Sequence, residues 1–176
     1  MNQRNLVIAV AAVALVGFGA ASFFYKRTTP PPRAAIVVPT ESTTLVRPHS
    51  PILGRPDAPV TIVEFFDPAC ETCRAMYPVV KKLLADYPKD VRVVIRYTTF
   101  HQGSDEAVRI LEAARKMSMY VPVKEALLAA QPNWADHGRP NIAVAWAVAG
   151  SVGLDVDAAR KLGATQAITD VLTQDM

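Results

Sequence analysis

The chain has 176 residues, a formal charge of +3, 51% hydrophobic residues and two cysteines. That length suits one globular domain plus a tail, and its scattered basic residues, without aromatic interleaving, argue against a nucleic-acid partner. Two cysteines are too few for a disulfide-stapled mini-protein or a four-ligand zinc site, and His49, His101 and His137 share no ligand spacing with them, so no metal or other cofactor is expected.

Residues 6–25 (LVIAVAAVALVGFGAASFFY) carry no charge. About 20 helical residues span roughly 30 Å, the thickness of a bilayer's hydrocarbon core. Phe23, Phe24 and Tyr25 make an aromatic end, closed by Lys26 and Arg27. Residues 1–27 are therefore expected to be a transmembrane anchor, with a signal peptide cut near Gly19-Ala20-Ala21 as the alternative. Arg4 precedes the run and Lys26, Arg27 and Arg33 follow it, so a positive-inside count puts the rest of the chain in the cytoplasm. Residues 28–57 contain Pro30, Pro31, Pro32, Pro39, Pro48, Pro51 and Pro56 and read as a stiff, extended linker, with a short edge strand possible at 43–47.

Residues 58–176 should form the domain. The β-branched and aromatic run at 60–66 (VTIVEFF) predicts a buried strand. Residues 70–86 predict a helix, with Met76, Val79, Val80, Leu83 and Leu84 on its apolar face. A second strand, parallel to the first, is expected at 91–97. Helices follow: from Ser104, as cap, to about 117; 122–130; 141–152, ended by Gly153; 155–162; and 165–174. Trp134 and Trp146 read as packing within this helical stretch and His101 as a solvated turn residue.

The chemistry concentrates in FFDPACETCRAMYP, residues 65–78. A strand ends, a turn follows, and Cys-x-x-Cys opens a helix. Cysteines three apart share a helix face, within reach of a disulfide. Cys70, at the helix N-terminus, meets unpaired backbone N–H groups and the positive end of the helix dipole, which favour the attacking thiolate. Cys73, a turn deeper, should be the resolving thiol. An inert structural bridge is the competing reading, but it would close too small a loop to stabilise much. Glu64, the ionisable residue of the first strand, should titrate high through burial and can relay a proton to the deeper thiol. A solvent-facing Glu64 is the alternative. Pro78 falls inside the helical pattern and should kink it, and Pro68 belongs to the turn; both read as structural.

The run Val-Glu-Phe-Phe-Asp-Pro-Ala-Cys-x-x-Cys, with Pro78 five residues after Cys73, resembles the thioredoxin superfamily, and the helical stretch after strand–helix–strand resembles its DsbA-like branch. The resemblance implies an α/β thioredoxin-like fold with a helical insertion. It implies action on protein thiols and disulfides outside the cytoplasm, supported by a membrane or periplasmic redox partner. It also implies a buried acid at the position of Glu64, and an architectural role for Pro78. On this basis the expected location is the inner membrane, single-pass, with the domain on the periplasmic side, against the simple charge count.

Two departures from the family pattern matter. Strong oxidants of the family carry Pro-His between the cysteines, where this chain has Glu71-Thr72. The negative charge of Glu71 should lower the thiolate fraction at Cys70 and make the pair less oxidising. The family also returns from its helical insertion through a cis-proline loop to two further strands and a last helix. No such region is legible. Val121-Pro122 resembles the loop, but helical KEALLAA follows it. The expectation is a C-terminally incomplete domain that reacts with small thiol reagents, catalyses poorly on protein disulfides and self-associates. The alternatives are a reductase or isomerase of the same fold, and a non-catalytic membrane-anchored binding module.

Overall fold

A computed structural model describes residues 2–27, 45–136 and 139–176. The chain divides into two units, Met1–Pro39 and Thr40–Met176. The first contains helix α1, Gln3–Arg27. Among the described residues no helix is long and apolar enough to cross a membrane. The expected span at 6–25 falls partly outside them, because the side chains of residues 6, 7, 9–11 and 24–25 are not described. Residues 28–44, most of the proline-rich stretch, also lie outside the described residues.

The second unit is built on a three-stranded sheet of order β1-β3-β2: β1 is Ile52–Gly54, β2 Val60–Phe66 and β3 Val91–Tyr97. β1 runs antiparallel to β3, and β2 runs parallel to it with Glu64 opposite Ile95 and Phe66 opposite Tyr97. The edge strand expected at 43–47 is not formed by its described part. Pairing begins instead after Pro51, whose carbonyl accepts the Ile95 N–H at 2.9 Å, so β1 lies inside the stretch read as linker. A proline offers no N–H to a ladder, which makes the residues after Pro51 the first able to pair regularly. Gly54, at φ +87, ends β1 where a Cβ would lie 2.9 Å from the Val91 carbonyl oxygen.

Helix α2, Glu71–Asp86, joins β2 to β3. Beyond β3 come α3 (Ser104–Lys116), α4 (Tyr120–Ala129), α5 (Gln131–Trp134), α6 (Ile142–Ser151), α7 (Val156–Gly163) and α8 (Gln166–Asp175). The four-residue α5 has no counterpart in the sequence reading, being too short to show a helical period. Asn141 and Asp155 cap α6 and α7 by accepting the N–H groups of Val144 and Ala158. Ser104 does not cap α3. The N-cap is Gly103, at φ +84, and the Ser104 hydroxyl turns instead to Asp67.

The core gathers Phe66, Val93, Ile95 and Tyr97 with Ile110, Leu111, Leu127, Trp134 and Trp146, confirming both tryptophans as packing residues. β2 is not the buried strand expected. Val60, Ile62 and Phe65 are 49%, 38% and 53% exposed, because among the described residues β2 pairs on one side alone. On the other side of β3, buried Asp175 at the end of α8 accepts from Arg96 Nε at 2.7 Å, His49 Nε2 at 2.9 Å and the Tyr97 N–H at 2.9 Å. This carboxylate ties the C-terminal helix and the segment before β1 to the central strand.

Candidate active site

β2 ends at the fully buried Phe66, and the chain turns through Asp67, Pro68 and Ala69. The Cys70 N–H donates to the Asp67 carbonyl at 3.1 Å, and the Asp67 carboxylate accepts the Ala69 N–H at 2.9 Å. This side-chain turn delivers Cys70 to the N-cap of α2 in extended geometry (φ −80, ψ 123), with its carbonyl already accepting the Arg74 N–H. Cys70 and Cys73 are partly exposed, unbridged thiols. Burial, first, pushes the Cys73 thiol up to about 11. The Asp67 backbone N–H opposes this, while Cys70 and Glu64 reinforce it. The deeper sulfur is therefore held as a thiol, while Cys70 lies at the start of the helix.

Beneath this pair lies Glu64, its side chain 15% exposed, with the Lys124 ammonium 3.9 Å from Oε2. Neither Oε2 nor Nζ has a hydrogen-bond partner. Lys124 lies on α4 and is 1% exposed, its Nζ 4.5 Å from the ring centre of Phe66 and 4.7 Å from that of Tyr77. Burial raises the carboxyl of Glu64 against the pull of Lys124, and lowers the ammonium of Lys124 against the pull of Glu64 and Cys73. The upward direction expected for Glu64 is thus present, with its expected cause. Lys124 was invisible in the sequence, since KEALLAA looks like any helical stretch with a solvated lysine.

Asp67 is the second residue missed, although it lies within the quoted motif. Buried, it accepts five hydrogen bonds: from the N–H groups of Ala69, Phe100 and His101, from His101 Nδ1 at 2.7 Å, and from the Ser104 hydroxyl. One carboxylate thereby joins the turn before Cys70 to the loop after β3 and the start of α3. His101 lies in the turn after β3 as expected, partly exposed, but its ring is also held by this carboxylate. Gln131, on α5, is the third: its Nε2 donates to the carbonyls of Pro68 at 2.8 Å and Cys70 at 3.0 Å. Glu71 and Thr72 lie in the first turn of α2, half-buried and exposed respectively, and Pro78 lies inside that helix. Pro122, the residue compared with a cis-proline loop, lies in the first turn of α4, and among the described residues no peptide bond is cis.

The family model described as thioredoxin matches residues 47–174. Among solved structures, a thioredoxin-like oxidoreductase from Silicibacter pomeroyi is 32% identical, with a TM-score of 0.65 over 76% of this chain and 74% of that one. BdbD from Bacillus subtilis is 24% identical (TM-score 0.62, 72% of each chain). The catalytic domain of Proteus mirabilis ScsC is 22% identical (TM-score 0.62, 77% of this chain and 72% of that one). These last two likenesses concern the fold. An 83-residue segment is also 36% identical to part of the Na(+)/H(+) antiporter NhaA 3 of Salinispora tropica, covering 46% of this chain and 13% of the antiporter. With the thioredoxin family model matched over most of the chain and a thioredoxin-like oxidoreductase 32% identical over about three quarters of it, the chain belongs to the thioredoxin superfamily, among its DsbA-like members.

Proposed function

We propose that this chain is a thiol–disulfide oxidoreductase acting on protein thiols, with Cys70 attacking and Cys73 resolving. The observation that carries the reading is the asymmetry of the pair: Cys70 at the N-cap of α2, Cys73 one turn deeper and pushed up to about 11. In the oxidising direction a substrate thiolate attacks Cys70 Sγ of the Cys70–Cys73 disulfide. A mixed disulfide forms, and Cys73 leaves as a thiolate that takes a proton, with Glu64 as its relay. A second substrate thiolate then attacks the substrate sulfur, closing the substrate disulfide and releasing Cys70 as thiolate. Two electrons pass from substrate to the pair. In the reducing direction the steps reverse, and Glu64 takes the proton of Cys73 as it attacks.

Glu71 beside Cys70 favours a weaker oxidant than a motif with Pro-His between the cysteines, and keeps a reductase or isomerase as the second reading. Equilibration with glutathione separates the two directions. A Cys73→Ala variant should trap mixed disulfides with a reduced or scrambled protein substrate, and Cys70→Ala should not; the opposite pattern would assign the roles the other way.

The proposal includes anchoring by residues 6–25 with the domain on the extracytoplasmic side. Support for the span is the uncharged run; support for the side is the family resemblance alone. A phosphatase fused after Met176 should be active, and an inactive fusion beside a working cytoplasmic reporter would overturn the orientation.

A further inference from the structure

Gln131 is 2% exposed, and its side chain crosses from the helical insertion to the redox turn. Both hydrogen bonds of its Nε2 end on carbonyls that bracket the attacking cysteine, those of Pro68 and of Cys70 itself. The Cys70 carbonyl also accepts the Arg74 N–H, so it is the first rung of α2. With Glu71 and Arg74 from α2, and Pro132, Ala135 and Asp136 from its own side, Gln131 lines a groove of about 240 Å³ beside that helix start. Its Oε1 is buried and has no hydrogen-bond partner. Burying an amide oxygen without a partner is unfavourable, and an apolar side chain of similar size would fill the space without that cost. Packing alone therefore does not account for a glutamine here, whereas its two aimed N–H donors do.

We propose that Gln131 is a positioning residue for the redox pair, through which the helical insertion tunes the thiolate of Cys70. Its amide holds the Pro68 and Cys70 carbonyl oxygens and offsets their negative charge. Without it the Pro68 oxygen loses its side-chain donor and the Cys70 oxygen keeps only the Arg74 N–H, so more of their negative charge is left to disfavour a thiolate at Cys70. The inference rests on the reading of Cys70 as the attacking thiol.

The test uses the full chain with Gln131→Leu, which keeps the volume and removes both donors, and Gln131→Glu, which sets a carboxylate against the same carbonyls. In Gln131→Leu, iodoacetamide alkylation of Cys70 should shift to higher pH by roughly half a unit to one unit. The equilibrium with glutathione should shift about threefold to tenfold toward the disulfide form of the pair. Gln131→Glu should shift both further in the same direction. A folded Gln131→Leu variant with the wild-type alkylation profile and glutathione equilibrium would overturn the proposal. If Gln131→Leu does not fold, a wild-type profile in Gln131→Glu does the same. Trapping by Cys73→Ala in the otherwise wild-type chain is the control: its failure would remove the role of Cys70, whereas trapping with unchanged Gln131 variants would remove only the role of Gln131.

Discussion

β2 and β3 are both seven residues long, pair in register and look alike as strands, yet their burial is opposite. β3 carries two arginines and is buried at every position but Arg92, whereas β2 carries one charge and is fully buried at Phe66 alone. The helices repeat the contrast. α3 buries eight of its residues, Glu112 among them, and α2 buries none, leaving Met76 and Val79 49% and 57% exposed. Place in the sheet outweighs hydropathy, because β3 has a strand on each side and β2, among the described residues, has one. The redox pair stands on the thinly covered half, its turn tied to the rest of the domain through Asp67, which accepts from the loop after β3 and from Ser104, and by Gln131 on α5.

The strongest test of this contrast is truncation of apolar side chains in the two helices. Leu111→Ala in α3 should lose about 2–5 kcal/mol in urea unfolding, while Val79→Ala in α2 should stay within about 0.5 kcal/mol. Comparable losses would mean that α2 is covered as well as α3.

Next comes the pair that bridges the halves. Lys124→Met leaves Glu64 buried without its cation and should cost about 3 kcal/mol at neutral pH, much of it recovered in Lys124→Met/Glu64→Gln. The sign with pH follows from the raised carboxyl of Glu64. The folded state holds that proton more tightly than the unfolded chain, so Glu64 costs nothing below its unfolded pKa and destabilises progressively as pH rises toward its folded value. Lys124→Met should therefore match the wild type more closely at pH 4 than at pH 8. A deficit that grows on acidification would contradict the pairing.

A kinetic effect should follow at Cys73, whose thiol is pushed up to about 11. Glu64→Gln should slow release of a trapped mixed disulfide by Cys73 about tenfold at neutral pH. The two proteins should converge as pH approaches that of the free thiol's own ionisation. A rate deficit constant across pH would make Glu64 structural rather than a relay.

The smallest change in stability concerns the open edge. Val60→Lys, at a position 49% exposed, should alter stability by less than about 0.5 kcal/mol and reduce self-association measured by sedimentation. A large destabilisation would show that the edge is covered in the folded protein.

Local chemistry was legible in the chain. Val60–Phe66 and Val91–Tyr97 were located by their β-branched runs. Asn141 and Asp155 mark helix starts because a short polar side chain accepts the N–H groups of a first turn, and the Cys-x-x-Cys spacing needs no more than one turn of helix. These follow from forces acting within a few residues. Which strand lies at the centre, and which lysine is buried, depend on what packs from far along the chain. Lys124 reaches Glu64 across 60 residues, Gln131 reaches Cys70 across 61, and Asp67 reaches His101 across 34. The sequence by itself determined the thiol pair and the helix that presents it, since capping and dipole act locally. Only the tertiary structure decided what surrounds that pair, because burial and electrostatic pairing depend on distance in space, which no spacing along the chain records.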